Sequence, residues 1–423
     1  MSYTRVVIIG GGFGGLNAAK SLGNSSLDVL LVDKTNHHLF QPLLYQVASA
    51  ALSPADIATP IREILKPFSN ETVVMGHVVK IEKEKKQIQL ANGDTIPYDF
   101  LIIAIGAHHS YFGHDEWQAN APGLKTLVDA LKIRERILIS FEKAERSDSI
   151  SEARKYLNFV IIGAGPTGVE LAGAIAEIAH ETMLKNFRRI DPTKTKVFLV
   201  EAAPHILPQY PEKLANKAKS FLERFKVKVL EGKAVVDVTS EGVQVGDQFI
   251  ETRNVIWAAG NRAPELLQTL DIPLDKQCRV IVEEDLSIPN HPEVFVIGDA
   301  AKALDKKGNP LPGLAPVAIQ QGRYVANLIK KNIPKSQRKP FRYFDKGTVA
   351  TIGKTKAVGM FGKFKFSGFF AWIGWCFIHI AYLITFRSRL IVLIQWFFAY
   401  LSGQRGARLI NKPLDPELPK QPD

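Results

Sequence analysis

The hydrophobic pattern of the chain takes two forms. Through the first 300 residues it consists of short, mainly apolar runs at residues 5–9, 28–32, 98–106, 157–162, 197–200, 254–260 and 294–298. Runs of that length, rich in Val and Ile and bounded by glycine or charge, predict strands buried on both faces of a parallel sheet. Helix-forming stretches separate them. The alternation predicts an α/β architecture of two doubly wound, Rossmann-like domains. After residue 365 the pattern changes. Residues 366–386 hold no charged side chain, and a second apolar run covers residues 390–401. This end predicts a helical segment of a different character.

Two of the strands end alike. Residues 5–9 lead into GGGFGG at 10–15, with helical sequence from Leu16; residues 157–162 lead into GAGPTG at 163–168, with helical sequence from Val169. Gly10, Gly12 and Gly15, and again Gly163, Gly165 and Gly168, fill the three positions of GxGxxG. The first glycine permits the tight turn, the second lets backbone approach a pyrophosphate, and the third lets helix pack on strand. The helix N-terminus then offers unpaired N–H groups to the phosphates. In each case the next strand ends in an acid, Asp33 or Glu201, placed to accept from ribose hydroxyls. An acid at Glu201 would repel a 2′-phosphate and so favours NADH over NADPH.

One such fingerprint is a weak signal, equally a glycine-rich turn. Two complete ones imply two dinucleotides, most economically a flavin and a nicotinamide. Phe13 and Gly14 count with the first loop, and Gly260 closes a run that reads, like residues 98–106, as a crossover between nucleotide domains. Asp299 is either a helix N-cap or a carboxylate for the flavin ribityl chain, with a helix following. Glu170 either complements the helix dipole or sits where nicotinamide meets flavin, with a raised pKa suited to relaying protons.

Charge adds a partner. Residues 323–412 carry seventeen Lys and Arg against one acid, Asp345, a net of +16 in a chain of net +12, which leaves −4 for the remainder. The basic segment is also the one with the long apolar runs. It therefore predicts an anionic lipid surface as partner and argues against nucleic acid. Three placements of residues 366–386 compete. Their 21 residues reach the roughly 20 that span a bilayer; they could form a buried helix of a soluble core; or two helices could lie in the lipid interface. The last fits the flanking cations and the Trp and Tyr side chains best. No signal-peptide core fits before the first glycine run, so the body is expected on the cytoplasmic face of the inner membrane, attached peripherally. The only cysteines are Cys278 and Cys376, without a CxxC. No disulfide framework, redox dithiol or metal cluster is readable, and both thiols read as inert.

Beyond these motifs the chain resembles the type II NADH:quinone oxidoreductases, single-subunit respiratory dehydrogenases that pump no protons. The resemblance rests on FQPLLYQVA at 40–48, the paired fingerprints, Gly298 and Asp299, GLAPVAIQQG at 313–322, YFDKGTVATIG at 343–353, Arg389, Gln395, Trp396 and RGARLI at 405–410. It covers nearly the whole chain as far as Lys412. It implies that the Gly10 loop and Asp33 hold the adenosine half of a non-covalent FAD, with Asp299, Ala315, Pro316 and Val317 along the flavin. It implies that the Gly163 loop and Glu201 bind NADH, and that Glu170 couples hydride arrival to quinone reduction. Ala318, Gln320 and Gln321 would line the quinone pocket, although the glutamines alone read as a polar helix face. Pro316 departs from the glutamine that many members carry, which puts the quinone contacts in doubt. Trp375 and His379 are further quinone candidates, although a lone His in an apolar helix is more often simply packed.

The expected organisation is an FAD domain from residues 1–120 and 255–340, an NADH domain at 121–254, a membrane-anchoring region at 341–412 and a mobile tail at 413–423. The expected reaction passes a hydride from NADH to flavin and two electrons on to a membrane quinone. An oxidase or diaphorase using oxygen or dyes, and a non-catalytic NADH-sensing flavoprotein, are the competing readings. A homodimer is left open.

Overall fold

The structure, a computed structural model, describes residues 3–410 and Leu414. Apart from that leucine, the tail expected at 413–423 lies outside the described residues. Within those limits the chain forms two compact units. The first comprises Met1–Leu39, Ala58–His108 and Asn261–Lys346; the second comprises Phe40–Ile57, His109–Gly260 and Gly347–Asp423.

The first unit is built on a six-stranded sheet in the order Ser287–Ile288, His291–Val296, Phe100–Ile103, Arg5–Ile9, Asp28–Asp33 and Glu71–Met75. All neighbours run parallel except the edge pair at Ser287–Ile288. Val6, Val7 and Ile8 are fully buried, as a central parallel strand covered on both faces requires; each such side chain stabilises the fold by about 1.5–3 kcal/mol. Helices Phe13–Leu22 and Ala315–Lys330 cross so closely that a Cβ on Gly322 would meet the Gly14 carbonyl oxygen at 2.3 Å. A three-stranded antiparallel sheet, Val78–Glu82, Gln87–Leu90 and Thr95–Pro97, adds Ile81 and Ile88 to the same core.

The second unit repeats the plan. Its parallel sheet runs Val227–Leu230, Lys196–Val200, Asn158–Ile162 and Asn254–Trp257. Helix Pro166–Glu177 follows the central strand. The C-terminal part adds an antiparallel sheet of Thr348–Thr351, Ala357–Phe361 and Phe364–Gly368, then helices Phe369–Tyr382 and Phe386–Ser402.

The strands lie where the apolar runs predict them. Both fingerprint helices begin three residues before the expected position, at Phe13 and Pro166; proline suits a first turn, where its missing N–H has no intrahelical partner. Asp299 differs from expectation. It sits in a 3-10 turn, Gly298–Ala300, followed by the short strand Ala301–Lys302, and the next long helix waits until Ala315. Residues 366–386 do not form one helix. Their first residues complete a strand, Gly368 turns the chain at φ +90°, and the helix that follows has 14 residues. The next one starts afresh at Thr385, whose Oγ1 caps it by accepting from the Ser388 amide at 3.1 Å. Among the described residues no helix is long and apolar enough to cross a membrane. Residues 40–57, 109–120 and 255–260, drawn with the first domain from sequence, lie in the second unit, as does the C-terminal region from Gly347, while residues 341–346 lie in the first.

Candidate functional site

The two glycine loops have the same internal wiring. Asp33 accepts from the Gly11 amide at 2.6 Å with one carboxylate oxygen and from the Thr35 amide at 2.7 Å with the other. Glu201 accepts from the Ala164 amide at 2.7 Å and from the Ala203 amide at 2.9 Å. Each acid is thereby held beside its loop with lone pairs to spare for ribose hydroxyls. The glycines divide by cause. A Cβ on Gly15 would lie 1.8 Å from the Gly10 carbonyl oxygen, and one on Gly168 would lie 1.9 Å from that of Gly163, so close helix packing demands glycine there. Gly12 and Gly165 have ordinary negative φ angles, and a Cβ on either would meet nothing within 4 Å. No protein contact requires glycine at those two positions. The open space beside them, at a helix N-terminus, fits a dinucleotide pyrophosphate.

His38 adds a polar group that sequence reading passed over. Its Nδ1 lies 2.9 Å from the Gly11 carbonyl oxygen, and its ring meets Phe13 edge-on at 5.1 Å. Burial lowers its pKa to about 4. A carbonyl only accepts, so Nδ1 carries the proton and Nε2 is a bare acceptor, buried and without a partner. A cofactor hydroxyl beside the loop is the type of group that would satisfy it.

The second unit contains a cleft of about 730 Å³, part of it open to solvent. Tyr45, Gln46, Trp375, Cys376, Trp396 and Arg405 are among its walls. Glu170 stands behind it, buried on helix Pro166–Glu177 and near three lining residues, Tyr45, Thr351 and Trp375. Burial raises its pKa to about 8. The Thr351 amide, 3.5 Å away, opposes the shift. Two turns on, Glu177 pairs with Arg405 at 2.8 Å, and Arg405 also donates to the Ser49 carbonyl oxygen at 2.7 Å. Burial pushes both members of this pair toward neutrality, and their mutual attraction opposes that. Cys376 is free, its thiol pushed up to about 12 by burial, and Cys278 is free as well.

The remaining predicted residues are placed as follows. Asp299 lies against Gly313, and Ala315, Pro316 and Val317 form the first turn of their helix. Gln321 is buried and accepts from the Gly298 amide at 2.7 Å. Gln320 grips the Phe344 backbone with both ends of its amide. Both glutamines are therefore engaged within the first unit. Gly260 is sterically required, since a Cβ would lie 2.6 Å from the Ser110 carbonyl oxygen. Trp375 lines the cleft. His379 does not; it stacks on Trp375 at 4.2 Å, bonds the Trp375 carbonyl through Nδ1, and has its pKa lowered to about 4 by burial. No group of three His, Cys, Asp or Glu among the described residues is placed to hold a metal.

Comparison with known proteins fits this geometry. The profile of the pyridine nucleotide-disulphide oxidoreductases matches residues 4–322, which sets the class. Two type II NADH:quinone oxidoreductases of Mycobacterium tuberculosis are more specific. Ndh is 44% identical over 96% of this chain and 90% of its own, and NdhA is 43% identical over 97% and 90%. The solved NDH2 of Plasmodium falciparum, 22% identical, superposes with a TM-score of 0.89 over 96% of this chain and 99% of its own, a likeness of fold. The chain belongs to the type II NADH:quinone oxidoreductases.

Proposed function

We propose that the protein oxidises NADH and reduces a membrane quinone, with FAD held by the first unit and both NADH and quinone held by the second. The observation that carries this is a single helix. Pro166–Glu177 begins at the second glycine loop, carries Glu170 within, and runs along a cleft to which the C-terminal helices contribute Trp372, Trp375, Trp396 and Tyr400. A dinucleotide at the helix start and an apolar ring compound in the cleft would lie against the same helix. FAD, when bound at the Gly10 loop with Asp33 and Asp299, supplies the two-electron carrier between the substrates.

The chain supplies orientation. Glu201 holds the NADH ribose and disfavours an added phosphate. Trp375 and Trp396 pack on one another at 5.2 Å and together form an aromatic wall of the cleft against which a quinone ring would lie. Glu170 keeps a proton at its carboxyl at neutral pH. The helices Phe369–Tyr382 and Phe386–Ser402 leave Phe370, Phe377, Phe386 and Phe397 exposed, next to exposed Lys363, Lys365 and Arg387. That pairing supports peripheral docking on an anionic lipid surface, at the cytoplasmic face of the membrane.

The test uses detergent-purified protein. NADH should bleach a bound-flavin spectrum, and a short-chain quinone should restore it without oxygen. Protein that purifies with no flavin, or a reduced flavin that oxygen reoxidises as fast as quinone does, would overturn the proposal.

A further inference from the structure

We propose that the Tyr45 hydroxyl is the hydrogen-bond donor that holds a quinone carbonyl in the cleft, and that Gln46 and Trp396 fix it in that orientation. The inference rests on the reading that places the quinone there.

A one-way chain of hydrogen bonds carries the argument. The indole Nε1–H of Trp396 can only donate, and it meets Gln46 Oε1 at 2.7 Å. That contact settles which end of the Gln46 amide is oxygen. The other end, Nε2, then donates to the Tyr45 hydroxyl oxygen at 3.0 Å. A tyrosine hydroxyl has one proton to give. With a lone pair already taken by Gln46, that proton is what Tyr45 has left to offer the cleft.

All three side chains line the cleft, and Tyr45 and Gln46 are buried on the short helix Leu44–Ala48. Protein acceptors nearby are engaged elsewhere or unbonded to Tyr45. The Glu177 carboxylate takes Arg405 and the Lys354 amide. Glu170 makes no hydrogen bond with Tyr45, whose hydroxyl is bonded by Gln46. Burial and the two glutamates hold the phenol pKa well above its ordinary value, so the proton stays on Tyr45 at any working pH.

A donor at the wall of the cleft with no protein acceptor among the described residues is matched by a ligand oxygen that only accepts. A quinone carbonyl is such a group. Reduction places negative charge on its oxygens, so a donor fixed beforehand binds the reduced form more tightly than the oxidised one. Trp396 and Gln46 act through Tyr45 and are positioning residues.

The experiment follows the two half-reactions of the FAD-loaded enzyme by stopped flow, with decylubiquinone as the oxidant. Tyr45→Phe should leave flavin reduction by NADH unchanged and slow reoxidation by roughly tenfold to a hundredfold. Trp396→Phe should give a smaller loss in the same step. The double variant should be no slower than Tyr45→Phe alone, because the chain acts only through the hydroxyl. Multiplying losses would show that Trp396 acts by packing, and would overturn the positioning role. Ala399→Leu, which narrows the cleft, separates the two readings. A raised quinone KM in Ala399→Leu with wild-type reoxidation in Tyr45→Phe overturns the donor role and leaves the quinone in the cleft. Wild-type behaviour in both places the quinone elsewhere.

Discussion

Glu170 keeps its proton at neutral pH because burial outweighs what the Thr351 amide offers its charged form. Its pKa of about 8 against an ordinary 4.5 means that the folded chain binds a proton over a range where the unfolded chain has lost it. The stability this group contributes is therefore fully present below about 4.5 and is lost as pH rises through about 8. Glu170→Gln removes the titration. The Tm of the variant relative to wild type should rise steadily between pH 5 and 8.5; a constant difference would mean that Glu170 is not buried as an acid. Glu201 leads to a second outcome. Glu201→Gln should narrow the preference for NADH over NADPH, read as the ratio of kcat/KM values, and an unchanged ratio would remove Glu201 from that role. Asp33 and Glu201 were legible in sequence because their partners are a local loop and a strand end, at fixed offsets from glycine. The cleft was not. Gln46 meets Trp396 across 350 residues and Arg405 meets Glu177 across 228, distances no local pattern encodes. A trace did exist: Glu170 and Glu177 share one helix face seven residues apart, an unusual pair of acids in an otherwise apolar helix. The partners of Gln320 and Gln321, Phe344 and Gly298, were hidden for the same reason, lying some two dozen residues away.

At the scale of elements, the two strand–loop–helix modules make a matched experiment. Gly12 and Gly165 have room for a Cβ in the protein itself, so alanine there should fold normally and collide only with a bound dinucleotide. Gly12→Ala should purify with depleted flavin, measured by the ratio of flavin to protein absorbance. Gly165→Ala should keep its flavin and raise the KM for NADH. If Gly165→Ala loses flavin and Gly12→Ala does not, the assignment of the loops is reversed. Gly15→Ala and Gly168→Ala serve as contrasts, since a Cβ within 2 Å of a backbone oxygen must disturb the loop itself. The strands were readable because a doubly covered parallel strand leaves a continuous aliphatic run. The break in residues 366–386 was not, because the first of them are drawn into a sheet by register with Ala357 to Gly359. Apolar composition alone does not distinguish a strand edge from a helix start.

At the scale of the whole molecule, the net of +16 over residues 323–412 and the exposed phenylalanines of the last two helices occupy the same stretch of chain. Either alone would be unremarked; together they would make two separable contributions to the proposed membrane docking. Basic side chains near an anionic surface contribute about 1 kcal/mol each and are screened by salt within a Debye length. Inserted phenylalanines contribute roughly 1.5–3 kcal/mol each when fully buried, and salt does not weaken them. Sedimentation with lipid vesicles can therefore resolve the two. Wild-type protein should bind vesicles containing phosphatidylglycerol more tightly than pure phosphatidylcholine, and the difference should shrink between 0.05 and about 0.5 M salt. Replacing Phe370, Phe377 and Phe397 by Ser should weaken binding to both lipids at every salt concentration. Ferricyanide reduction by NADH should continue in that variant, because none of the three side chains lines the cleft. Undiminished vesicle binding by the triple variant would show that charge alone holds the protein to lipid. Equal binding to both lipids at low salt would instead leave the basic excess without a role at the membrane.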